Sequence, residues 1–575
     1  MGEQVTLILR GGAVVDGTGR PPFEADVALA GSRIAAIGAV PPSGAEEIDA
    51  RGLLVTPGFV DVHTHYDGQA VWDSRMTPSS WHGVTTAVMG NCGVGFAPVR
   101  EQDRQRLVEL MEGVEDIPAP CLHEGLDWQW ESFGSYLDAL DRNPRDIDLC
   151  AQLPHAALRI FVMGERASRL EAATPEDSAE MRRLTAEAMR AGALGFSTSR
   201  TIGHRTLKGD RAPSLRATED ELTAIACGMS DAGHGFMELV SDWDTPDAAT
   251  EFAMLRRVLS VSRRPLLFSM AERHDKPQLW RELLAMTHDA VAQGLSIRPV
   301  IPPRPIGILF GLHGTQNPFS ATPSYRAIAD LPVAERVAVM RDPEVRRRIL
   351  SEDPVTGSTF PLLTRLGHER MFLFSDPPNY TPDRENSLAS IAAREGRSAP
   401  EVAYDLLTAD EGRNFIFAAL VNYAGYTLDP CREMLADPVT LVGLGDGGAH
   451  VGFVSDGSFP TFLLSYWGRD RGDGTFPIEE LIRRHTSDTA AAVGLNDRGV
   501  LAPGLLADVN LLDLDRLRLG APYMVHDLPA GGRRLMQRAD GYAATIKSGS
   551  VTYRNGEHTG ALPGRLVRGP QAGWS

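Results

Sequence analysis

The 575-residue sequence predicts an α/β fold: a closed (β/α)8 barrel of the TIM type, with a small β-sandwich built from both chain termini. Three observations predict it. Apolar strand-like runs alternate with helical patterns through the middle of the chain, which favours a parallel sheet. These runs number close to eight. Short alternating strands with tight turns occur at both ends, and neither end has enough apolar residues for a core of its own.

Taken in order, "TLILRGGAVVDGTG" alternates apolar positions and turns at Asp16-Gly17, and "ADVALAGSRIAAIG" has the pattern of a hairpin. Pro57-Gly58 then punctuates entry into the barrel. The runs "TTAVMG", "LCAQLP", "ALGFSTS", "HGFMELV", "RPLLFSM", "SIRPVIP", "RMFLFSD" and "TLVGLGD" follow as barrel strands. Between them lie helices such as "TPEDSAEMRRLTAEAMRAG", with acids in its first turn and Gly192 past its end. "GVLAPGLLADVNLLDLD" and "YAATIKSGSVTYRNGE" return to short strands, turning at Ser548-Gly549 and Asn555-Gly556. The expected division is an N-terminal sandwich segment at 1–57, the barrel at 58–498 and a C-terminal sandwich segment at 499–575. Excursions are expected near 302–360 and 377–440, which exceed ordinary connections.

Bulk properties exclude several classes. A net charge of −18 opposes binding to nucleic acid or an anionic membrane, both of which favour basic patches. No stretch approaches the roughly 18 apolar residues of a membrane span. The first residues lack a charged segment followed by a long apolar one, so no signal peptide is expected. Five scattered cysteines form no CxxC pair or disulfide framework, and the expected compartment is the cytoplasm.

The chemistry is sought at the C-terminal ends of the barrel strands, where such barrels carry their sites. "VTPGFVDVHTHYDGQ" ends an apolar run in two histidines one residue apart. Side chains at i and i+2 share a strand face, so His63 and His65 converge while Thr64 points away, an arrangement suited to a divalent metal. The second strand ends in Gly90-Asn91-Cys92-Gly93. Turn formers flank this cysteine, which favours a thiolate ligand over a packed core residue. The last strand ends in "GLGDGGAH", where Asp446 has two glycines after it and can move a proton in catalysis. His155, His450, Arg200 and Arg304 stand near strand ends and are candidates for substrate binding.

Together "LRGGAVVDGTG", "VTPGFVDVHTHYDGQ", "GVTTAVMGNCGVGFAPV", "ALGFSTSR", "GLGDGGAH" and "GVLAPGLLADVNLLD" resemble the amidohydrolase superfamily, and within it the N-acyl-D-amino-acid deacylase (D-aminoacylase) group. The resemblance implies a metal-bearing barrel, one or two zinc ions and hydrolysis of an amide. It matches His63 and His65 to first-strand ligands, Cys92 to the cysteine ligand, and Asp446 to the acid/base that is sometimes also a ligand. The group carries two further histidines at later strand ends, the second in a Ser-His pair. Here Glu238 stands near the first, and Ser269 is followed by Met270, with His274 four residues on. Glu238 is therefore a further candidate ligand, and the ion count stays open. The function implied is hydrolysis of an N-acyl-amino acid, the D form foremost, or of a similar small amide. A cyclic amide, ester or carbamate would use the same chemistry, and a catalytically inactive scaffold or binding barrel is the rival of a different class. By analogy the protein is a candidate homo-oligomer.

Overall fold

The computed structural model describes residues 4–355 and 367–572. Eight parallel strands form the barrel wall: β1 (Phe59–Asp61), β2 (Val84–Met89), β3 (Asp148–Pro154), β4 (Gly195–Arg200), β5 (Met237–Ser241), β6 (Leu266–Ser269), β7 (Ile297–Ile301) and β8 (Leu441–Val442). Their spatial order follows the chain. β2 and β3 are buried along their whole length, as expected of strands covered on both faces. Val60, Val88, Cys150, Leu267, Val300 and Leu441, each from a different strand, belong to one packed cluster with Leu194 and Phe236, which precede β4 and β5. The barrel centre is thus a core and not a pore, and Cys150 is spent on packing.

β8 pairs with β7 through Val300–Leu441 and Ile301–Val442. Beyond the strand ends, the first and last segments join by backbone bonds: Asp446 N–H donates to His63 C=O at 3.1 Å, and His65 N–H to Gly447 C=O at 2.8 Å. Gly445 leaves room here for Asp61, whose Oδ2 would stand 2.1 Å from an added Cβ.

The two chain ends do meet. Leu54–Pro57 pairs antiparallel with Val509–Leu512, and a nine-stranded sheet results. It is one hydrogen-bonded network: strand Leu7–Val14 pairs Glu46–Asp49 along its first half and Leu54–Pro57 at its end. Leu9, Val27, Val55, Val509, Leu511 and Ile546, drawn from both ends, share its core. Both expected turns have positive φ at their two central residues, Ser548-Gly549 (47° and 77°) and Asn555-Gly556 (50° and 78°), which suits the right-handed twist of a hairpin. The helix Pro175–Ala191 begins at a Thr174–Asp177 capping box and ends at Gly192 in the left-handed region.

Two expectations are corrected. "RMFLFSD" is not a barrel strand: Met371–Leu373 pairs antiparallel with Phe415–Ala419, which also pairs with Gly307–Gly311. The excursions expected at 302–360 and 377–440 belong to one insertion between β7 and β8, although residues 356–360 lie outside the described residues. It has its own core, including Ile308, Phe310, Met340, Met371, Leu407 and Ile416. An apolar run of this length reads alike for a parallel barrel strand and for a buried antiparallel one. Among the described residues, no helix is long and apolar enough to cross a membrane.

A candidate metal centre at the barrel mouth

β1 delivers the two histidines as the strand alternation requires. Thr64 turns away, and its N–H and hydroxyl both donate to Val88 C=O. His63 and His65 are buried, with ring centroids 5.4 Å apart. One nitrogen of each, with Cys92 Sγ, lies in a cluster no wider than 4.8 Å. Cys92 Sγ is 3.4 Å from His63 Nε2. Asp446 Oδ1 stands 3.3 Å from His63 Nε2 and 3.7 Å from His65 Nε2. Three strand ends, β1, β2 and β8, therefore bring together the four residues that the sequence pointed to.

The turn that carries Cys92 is tied from several directions. Gly90 N–H donates to Asp67 Oδ2, and Gly93 N–H to Ser197 Oγ, both at 3.0 Å. Asn91 Nδ2 donates to the carbonyls of Thr64 and Val88. Cys92 N–H donates to Glu238 Oε2 at 2.9 Å. Cys92 (φ 56°) and Asp446 (φ 45°) both occupy the left-handed region, which non-glycine residues hold only when their surroundings impose it.

Burial, with His204 and His450 nearby, holds the His63 imidazole down to about 3, and His65 is likewise pushed well below its usual value. Both rings are therefore neutral, with a lone pair to give. Burial, with Asp456, Asp61 and Glu238 nearby, pushes the Asp446 carboxyl well above the carboxylate range. Burial also lifts Glu238 to about 8. Among the described residues, the ion-pair contacts of Asp446, Glu238 and Glu115 are with histidines alone. Asp446 Oδ1, Glu238 Oε1 and Glu115 Oε2 are buried with no hydrogen bond among the described residues. Buried acids crowded beside neutral imidazoles are costly unless a cation joins them. The donor set of two imidazoles, a thiol and a carboxyl fits zinc.

Several expected site residues stand elsewhere. Glu238 does not join the cluster as a donor; its carboxyl lies on the far side of His63, 3.7 Å from Nδ1. Met270 is buried, and its N–H donates to Val300 C=O. Arg304 is not open to a substrate: its guanidinium pairs with Asp456 at 3.1 Å, donates to Ser455 C=O and Ser458 Oγ, and lies over the Tyr380 ring. Arg200 pairs with Glu251 and donates to Ala217 C=O. Both ring nitrogens of His155 are taken, by Thr198 Oγ1 at 2.8 Å and Glu221 at 2.9 Å. His450 does reach the centre, with Nε2 3.7 Å from Glu115 Oε2 and its ring stacked on Phe453.

Glu115 is the residue that sequence reasoning missed. It ends the helix Arg104–Glu115, is buried, and places Oε1 3.2 Å from His65 Nδ1. A signal was present in "MEGVEDIP": an acid at a helix C-terminus opposes the helix dipole and calls for a reason. A cleft opens beside Asp446, lined also by Gln69, Gly448, Asp456, Arg534 and Met536. Arg534 in its wall is held by Asp527 through two bonds of 2.8 Å.

Residues 46–553 match the amidohydrolase family, and the chain belongs to it. It is similar to the D-aminoacylase of Alcaligenes xylosoxydans xylosoxydans, at 28% identity over 98% of this chain and 97% of that one. An N-acyl-D-glutamate deacylase of the same organism is 27% identical over 90% of this chain and 88% of its own. Among solved structures, N-acyl-D-glutamate deacylase from Bordetella bronchiseptica, complexed with zinc and a phosphonate inhibitor, matches with a TM-score of 0.65 at 22% identity. That match covers 98% of this chain and 100% of the other. At that identity the likeness speaks to the fold.

Proposed function

We propose that this chain is a zinc-dependent amidohydrolase that removes the acyl group from an N-acyl-D-amino acid or a similar small amide. One observation carries the reading: Asp446 Oδ1, unpartnered and buried, faces the Nε2 atoms of both His63 and His65 beside the Cys92 thiol. The two deacylases, similar over nearly the whole chain, support the substrate class. His63, His65, Cys92 and Asp446 would hold the ion. A zinc ion bound there supplies the Lewis acidity that polarises an amide carbonyl and activates water.

The chain's own residues do the rest. The Asp446 carboxylate, ionised with a cation beside it, takes the proton of the attacking water and hands it to the departing amine nitrogen. The cleft beside it, lined by Gly447 and Gly448, receives the substrate. The insertion reaches the same mouth, where Thr315 Oγ1 donates to Asp116, the residue after Glu115. A cyclic amide or ester would meet the same groups, so the substrate class is read from a panel of N-acyl-D-amino acids, N-acyl-L-amino acids, hydantoins and esters. Turnover confined to the last two rejects the deacylase reading.

Metal content tests the centre itself. Protein purified without added metal should carry zinc, lose activity to a chelator and regain it with zinc. Cys92→Ala should weaken zinc binding by more than the roughly 10–100-fold lost when a partner outside the donor set is removed. Elemental analysis with chelator competition measures both. Wild-type protein that neither carries nor takes up zinc ends this reading.

A further inference from the structure

Two carboxylates flank the donor cluster without entering it. Glu238 accepts Cys92 N–H through Oε2 at 2.9 Å, and its Oε1 stands 3.7 Å from His63 Nδ1. Glu115 Oε1 stands 3.2 Å from His65 Nδ1, in ion-pair contact but off the line of a hydrogen bond. In both pairs the carboxylate is on the Nδ1 side of the ring. Both Nε2 atoms are thereby left toward Asp446 Oδ1. The elements that supply the two acids are unrelated: one lies on β5, the other at the end of the helix Arg104–Glu115. Their matching placement is not a by-product of one turn.

The geometry points to Glu238 and Glu115 as the positioning residues of the centre. Glu238 serves Cys92 and His63, and Glu115 serves His65. When ionised, as a cation at the centre would favour, a carboxylate beside Nδ1 favours the tautomer with the proton on Nδ1, which leaves the lone pair on Nε2, where the donors converge. Glu238 has a second task. Cys92 sits at φ 56°, and the bond from its N–H to Glu238 holds that turn with Sγ 3.4 Å from His63 Nε2. This inference rests on the metal reading above and replaces the expectation that Glu238 is itself a ligand.

Two readouts test it, neither requiring substrate. The first is the histidine tautomer in metal-free, 15N-labelled protein, from long-range 1H–15N correlations, with His63→Asn and His65→Asn supplying the assignments. The expected result, at a pH high enough to ionise both acids, is Nδ1–H for both rings in the wild type. Glu238→Gln should alter His63 alone, and Glu115→Gln should alter His65 alone. The second is Co2+ binding by chelator competition, with the visible and near-ultraviolet spectrum recorded at saturation. Each variant should bind Co2+ about 10–100-fold more weakly. At saturation each should keep the wild-type d–d spectrum and the sulfur-to-cobalt band. Both substitutions preserve shape, and circular dichroism checks that the fold is kept.

Wild-type tautomers and affinity in folded variants would overturn the inference while leaving the metal centre standing. An altered d–d spectrum in saturated Glu238→Gln would make Glu238 a ligand and would overturn its positioning role. Wild-type protein that takes up no Co2+ would overturn the metal reading and this inference with it.

Discussion

Asp446→Asn folds normally and loses turnover by about a hundredfold to ten-thousandfold, the range expected when a positioned acid/base is removed. Asparagine matches aspartate in shape, and the bond that ties this residue to the barrel is its backbone N–H to His63 C=O, which the substitution keeps. What disappears is the carboxyl proposed to exchange a proton, whose Oδ1 stands within 3.7 Å of the Nε2 atoms of both imidazoles. Thermal melting of the metal-free variant should show no loss of stability, because a buried carboxyl with only neutral imidazoles beside it contributes little to the fold. Steady-state kinetics on zinc-loaded protein measures the effect. A folded, zinc-loaded Asp446→Asn enzyme with wild-type kcat would remove Asp446 from the chemistry.

The largest effect on stability lies at the opposite end of the barrel. Asp148 begins β3, is fully buried, and meets two cations: Arg498 Nη1 at 2.7 Å and Lys547 Nζ at 2.9 Å. Lys547 also bonds both oxygens of Asp508 at 2.9 Å, and Arg498 pairs with Asp497. The cluster fastens the barrel floor to strands from the C-terminal end of the chain. Asp148→Ala leaves two buried cations short of a partner and should cost about 3–5 kcal/mol. Burial alone would raise the Asp148 carboxyl, but Lys547 and Arg498 outweigh it and hold the group down to about 2, below its ordinary 3.8. A carboxyl depressed in the folded state contributes fully above its unfolded pKa. That contribution is lost as pH falls from about 4 through about 2. Asp148→Asn should therefore flatten the fall in stability over that window, and denaturant unfolding at several pH values measures both claims. An Asp148→Ala protein as stable as wild type at pH 7 would show that the cluster is not a fastening.

The proposed donor residues were legible because their signals are local. His63 and His65 follow from the two-residue period of a strand, and Cys92 and Asp446 from glycines beside a strand end. The arginines misled because a cation near a strand end does not disclose the acid it will meet. Arg304 finds Asp456 across the whole insertion, and Arg200 finds Glu251 on the helix that follows β5. His155 was hidden in the same way by Glu221. Glu115 was missed because it arrives from a helix, outside the strand ends that were searched. The insertion was misdivided because the chain between Gly311 and Phe415 builds a core of its own, and nothing in a short apolar run reports which sheet it will join.

The join between the first and last barrel strands is made by the backbone of His63, His65, Asp446 and Gly447. Three of the four proposed metal ligands are thus also stitches of the barrel wall. For amide hydrogen exchange, His65 and Asp446 should belong to the slowest-exchanging group and open only with the barrel as a whole. A centre of this kind cannot loosen on its own. Adaptation to a new substrate then has to come from the insertion and the mouth loops, and directed evolution of specificity should accumulate its changes there.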